Sequence, residues 1–181
     1  MKNIEAYCET AFLCMNATLK KWGAKDYYRP ISRIFYQMVF DTGVSNATGL
    51  ISEKALNNKI KRLKVVFDHY LSPQFVGRMI MDNPDQFLTD YAVFRELFYL
   101  CCQVICVTQQ ENDELSFLTK NDGDTYVVKV PTYLKYNHLG IKLYKRPDGV
   151  RFWKEAKEIE TNVLSVPEAL TAYERRFLVT K

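Results

Sequence analysis

The sequence predicts an α+β fold, and three observations carry that prediction. Apolar residues recur at helical spacing through most of the first 63 residues. Two short β-branched and aromatic runs, 64–70 and 103–108, are separated by further helical segments. From Thr125 the period shortens to that of strands. The 181 residues suit a single domain, 1–181. Its expected parts are a helical N-terminal part (1–63), a core (64–121), a basic β-rich part (125–157) and a tail (158–181).

The elements follow in order. Ile4, Tyr7, Ala11, Cys14, Met15, Leu19 and Trp22 space a helix over 3–22, and Gly23 stops it. Pro30 opens a second helix over 30–40, with Ile31, Ile34, Phe35, Met38 and Val39 on one side. The Asp41–Gly49 stretch reads as a loop. Ser52 caps a helix over 53–63 whose inward residues are Leu56, Ile60 and Leu63. After the strand at 64–70, Ser72-Pro73 starts a helix that Asn83-Pro84 ends. A helix over 89–102, a strand over 103–108 and a helix over 109–119 come next, and Asn121-Asp122-Gly123 is a turn. Strands are expected at 126–130, 139–144 and 150–153, the last two joined by an Arg146-Pro147-Asp148-Gly149 hairpin. A short helix starts at Pro167.

Composition closes off several classes. An aromatic fraction of 14% supports a packed core rather than disorder. No apolar run approaches the ~20 residues of a membrane helix. The acid in Met1-Lys2-Asn3-Ile4-Glu5 does not fit a secretory leader, so a cytoplasmic location is expected. Five cysteines with no C-x-x-C pair read as reduced core thiols. The glycine signatures of phosphate loops and dinucleotide sites are missing, as is H-E-x-x-H. A Cys–His nucleophile built from Cys101, Cys102 or Cys106 with His69 or His138 stays open, although these cysteines lie in apolar runs.

The net charge of +4 is unevenly spread. Residues 54–64 hold five Lys/Arg and no acid, and 129–157 hold eight against two acids. Between them, 82–124 carries nine acids against two bases. Two basic segments around an acidic one form an electrostatic footprint suited to a polyanion. The expected contacts are Lys59, Lys61, Arg62 and Lys64 on one side and Lys142, Lys145, Arg146 and Arg151 on the other.

Asp68-His69 ends the first strand run, the second leads into a helix bearing Asn112, and Asn121 follows nine residues later. This order resembles the ββα-metal (His-Me) finger of HNH endonucleases, with a helical insertion of more than thirty residues between the strands and Asn at the last motif position. The resemblance spans about 64–121. It implies a ββα-metal-like core in which His69 is the general base and Asn112 braces the loop after the first strand. Asp68 and Asn121 would hold one divalent cation, Mg²⁺ or a similar ion. An imidazole near its usual pKa of about 6.5 accepts a proton at neutral pH. Oxygen donors suit Mg²⁺. The expected function is a metal-dependent DNA endonuclease of phage-borne or homing type. The alternative is a non-catalytic nucleic-acid-binding or protein-interaction factor, with a protein partner or a second copy as its target.

Overall fold

A computed structural model describes residues 3–42, 47–122, 125–147, 153–159 and 166–178. The side chains of 24–28, 47, 120–122 and 125–126 lie outside that description. The fold is α+β, and the chain forms two compact units, each made of two sequence segments. One comprises 1–46 and 69–103; the other comprises 47–68 and 104–181.

The first unit is helical: α1 (Ile4–Trp22), α2 (Ala24–Thr42), α4 (Pro73–Asp82), α5 (Pro84–Phe87) and α6 (Tyr91–Cys101). Asn3 caps α1 by accepting from Ala6 N, and Ser72 caps α4 by accepting from Phe75 N. α1 buries Cys8, Ala11 and Met15, spaced three and four apart. Cys14, expected as a core thiol, is exposed, as is Trp22, and the buried stripe lies along 8, 11 and 15. α2 begins six residues before its expected start and contains Pro30. Ile31, Phe35 and Val39, fully buried at a spacing of four, hold its C-terminal half despite the amide lost at Pro30. Phe35 meets Phe94 and Phe98 of α6 edge-on at 5.6 Å, and Phe12 meets Phe94 at 5.2 Å. α2 and α4 approach so closely that a Cβ on Gly77 would lie 2.9 Å from the Ser32 carbonyl oxygen.

The second unit carries the sheet. Its five strands lie in the order β2-β3-β1-β6-β7: β1 (Ala47–Ser52), β2 (Val66–His69), β3 (Val104–Val107), β6 (Leu143–Lys145) and β7 (Lys157–Ile159). β1 runs parallel to β3 and antiparallel to β6, and β6 is antiparallel to β7. The central strand, β1, falls partly in the stretch expected to be a loop. Its Ala-Thr-Gly opening lacks strand character. Gly49 adopts φ +76°, open only to residues without a Cβ penalty, where the β1–β3 register shifts.

α3 (Glu53–Ile60), capped by Ser52, ends three residues short of its expected end. Beyond it Arg62 takes φ +60°, and Ile60 and Leu63 are 56% exposed rather than inward. β3 is buried along its whole length and passes through Thr108 into α7 (Gln109–Ser116). The antiparallel hairpin of β4 (Thr119–Asp122) and β5 (Thr125–Val128) follows, so Asn121 lies in a strand, opposite Tyr126, and not in a turn. α8 (Lys135–His138) precedes β6. β6 pairs with β7; of the expected hairpin and strand at 146–153, residues 148–152 lie outside the described residues, and Trp153 opens a 3₁₀ turn over Trp153–Glu155. α9 (Glu168–Glu174) starts after Pro167 as expected. Ile51, Ala55, Leu56 and Cys106 form a core against which Tyr144 and Trp153 pack. Among the described residues, no helix is long and apolar enough to cross a membrane.

Candidate functional site

His69 closes β2. Its Nδ1 lies 2.7 Å from the carbonyl oxygen of Cys101, at the end of α6. A carbonyl only accepts, so Nδ1 carries the proton, and in the neutral ring the lone pair sits on Nε2. The ring also lies against Phe40, centroids 6.1 Å apart. Tyr70 N donates to Gln103 O at 2.9 Å, tying the residue after β2 to the residue before β3. That link joins the end of one strand to the start of the other, as in an antiparallel pair.

Asp68 is half-buried, and among the described residues two donors reach its Oδ2. Lys135 Nζ donates at 2.7 Å, and the Tyr136 hydroxyl donates in a short contact. Both donors are buried. Lys135 and Tyr136 belong to α8, whose lead-in at Pro131–Leu134 is held by Glu174. That buried carboxylate accepts from Thr132 N at 3.1 Å and from Thr132 Oγ1 in a short contact. Burial pushes the Glu174 carboxyl above its ordinary range, while the Thr132 bonds and the Lys135 charge act to lower it. Sequence reasoning missed this support because nothing in the spacing of 68, 132–136 and 174 links them.

Asn112 is half-buried on α7. Its neighbour Glu111 is the more constrained residue. Glu111 Oε2 accepts from Thr108 N at 2.9 Å, Thr108 Oγ1 at 3.0 Å and Ser52 Oγ at 2.6 Å. Ser52 Oγ in turn accepts from Ala55 N, so one carboxylate joins the first turns of α3 and α7. The Thr108-x-x-Glu111 spacing is a capping-box signal legible in the sequence. The Asn121 side chain lies outside the described residues. His138 is exposed at the end of α8. Cys101 and Cys102 are buried, with thiols pushed up by desolvation (Cys102 to about 11), which disfavours a nucleophilic thiolate.

The two basic segments meet on one aromatic ring. Lys59 Nζ lies 5.2 Å from the Trp153 ring centroid, and the Arg146 guanidinium carbon lies 5.0 Å from it. Lys59 also lies 6.0 Å from the Phe67 ring. Lys61, Arg62, Lys64 and Lys145 are exposed. Lys142 pairs with Glu158 at 3.4 Å, and Arg151 lies outside the described residues. Trp153 lies within the basic segment 129–157, in the 3₁₀ turn Trp153–Glu155 just before β7, and brings cations of both segments to one ring. Among the described residues no three His, Cys, Asp or Glu side chains cluster as a metal site. No protein-family model, no curated protein and no solved structure matches the chain.

Proposed function

We propose that this protein is a metal-dependent DNA endonuclease of the HNH-like kind, hydrolysing phosphodiester bonds with His69 as general base. The observation that carries the reading is the bond from His69 Nδ1 to the Cys101 carbonyl. It leaves the basic lone pair on Nε2 and stabilises the imidazolium that forms when Nε2 takes a proton from attacking water. The order β2, β3, α7, with the first two adjacent in the sheet, also supports it.

Asp68 and Asn121 are the residues that would hold the divalent cation. Their oxygen donors suit Mg²⁺, and two hydrogen bonds to Asp68 converge on one of its two oxygens. When bound, such an ion neutralises charge on the phosphate and leaving oxygen. Lys135 and Tyr136 fix the Asp68 carboxylate, and Asn112 is the loop brace. The exposed and ring-held cations, Lys59, Lys61, Arg62, Lys64, Lys145 and Arg146, position the nucleic acid through its phosphates.

A second reading, a non-catalytic nucleic-acid-binding factor, is favoured by one observation: Asp68 already has an ammonium and a hydroxyl on the same oxygen. Incubation with supercoiled plasmid separates the two. The nuclease nicks it with Mg²⁺ and not with EDTA, and His69→Ala abolishes nicking. Salt-sensitive binding without cleavage supports the second reading instead.

A further inference from the structure

Lys59 comes from α3 and Arg146 from the end of β6, yet both lie within 5.2 Å of the centroid of Trp153. The ring brings one cation from each basic segment to the same place, so the two charges are near one another before any ligand arrives. Around this pair the surface is not purely ionic. Phe67 is 38% exposed beside Lys59, and Ile60 and Leu63, both 56% exposed, interrupt a run of cations that ends at Lys64. A duplex turns its phosphates outward and keeps its base faces stacked, so it makes little use of exposed apolar side chains. A single strand presents phosphates and unstacked base faces together, and aromatic rings set among cations match both.

We propose that the surface around Trp153 binds single-stranded nucleic acid, with Lys59 and Arg146 on phosphates and Phe67 stacking a base. This deepens the reading above by naming the form of nucleic acid. It rests on the nucleic-acid part of that reading and not on cleavage.

The test is titration of a fluorescein-labelled 20-nucleotide oligo-dT, and of a 20-base-pair duplex, in EDTA. The full chain is compared with Phe67→Leu, Lys59→Gln and Arg146→Gln. Phe67 is exposed and the two charge changes leave a polar, uncharged and shorter side chain, and thermal melts of these variants serve as fold controls. The single strand is expected to bind at least about tenfold more tightly than the duplex. Phe67→Leu weakens oligo-dT binding roughly tenfold with little change in salt slope. Each Gln substitution lowers that slope by about 0.7. Duplex binding equal to or tighter than oligo-dT, no binding of either, or unchanged affinity in Phe67→Leu overturns the proposal. Loss of plasmid nicking with oligo-dT binding intact counts against the nuclease alone. Nicking without oligo-dT binding counts against this site alone.

Discussion

A histidine is useful as a base when something other than solvent decides which nitrogen holds the proton. For His69 that is the Cys101 carbonyl, 2.7 Å from Nδ1. With only two histidines in the chain, nitrogen-15 NMR can assign each ring without ambiguity. At high pH, His69 is expected to show a protonated Nδ1 and an unprotonated Nε2; the reverse tautomer would remove the basis for its role. Glu5 shows a comparable local constraint. It accepts from Tyr99 Oη at 2.6 Å, Tyr91 Oη at 2.8 Å and Arg95 Nε at 2.9 Å. These bonds, Tyr99 foremost, hold its carboxyl down to about 2 from an ordinary 4.5. A depressed carboxylate stabilises the fold fully above its unfolded value, and that contribution is lost as pH falls from about 4.5 through about 2. The melting temperature is therefore expected to drop over that window, and to drop less in Glu5→Gln. The group is partly exposed, so solvent screening keeps the effect modest.

Between elements, one close contact is the crossing of α2 and α4 at Gly77. A Cβ there would meet a backbone oxygen, Ser32 O, which cannot rotate away. Gly77→Ala raises helix propensity, yet it is expected to destabilise the protein by about 1–3 kcal/mol in urea unfolding. If Gly77→Ala is neutral or stabilising, the helices do not pack this closely. Element by element, the sequence was most readable where chain-local chemistry decides. The Ser52 and Ser72 caps and Pro73 all act within one or two turns. It was least readable where a distant partner decides. β1 opens with Ala-Thr-Gly, and its strand state depends on pairing with β3 and β6. α2 continues through Pro30 because Ile31, Phe35 and Val39 are buried by other helices, and no local rule overrides a proline.

At the scale of the whole molecule, the chain crosses between its two units at 46–47, 68–69 and 103–104. The Asp68-His69 pair, contiguous in sequence, therefore straddles one of those crossings. Each member has its own supports: Cys101 for His69, and Lys135 with Tyr136 for Asp68. The residue types of the candidate site could be read from the sequence, as could the two basic segments. The supports could not, because they arrive from 32 and 67 residues away along the chain. The joining of the basic segments at Trp153 was hidden for the same reason. Whether His69 is the base of a phosphodiester hydrolase is decided by the initial rate at which supercoiled plasmid is relaxed. With Mg²⁺ the wild-type chain is expected to nick the plasmid, and a folded His69→Ala protein to do so at least about 100-fold more slowly. No nicking by the wild type with Mg²⁺ or Mn²⁺, or equal rates for the two proteins, would contradict that role.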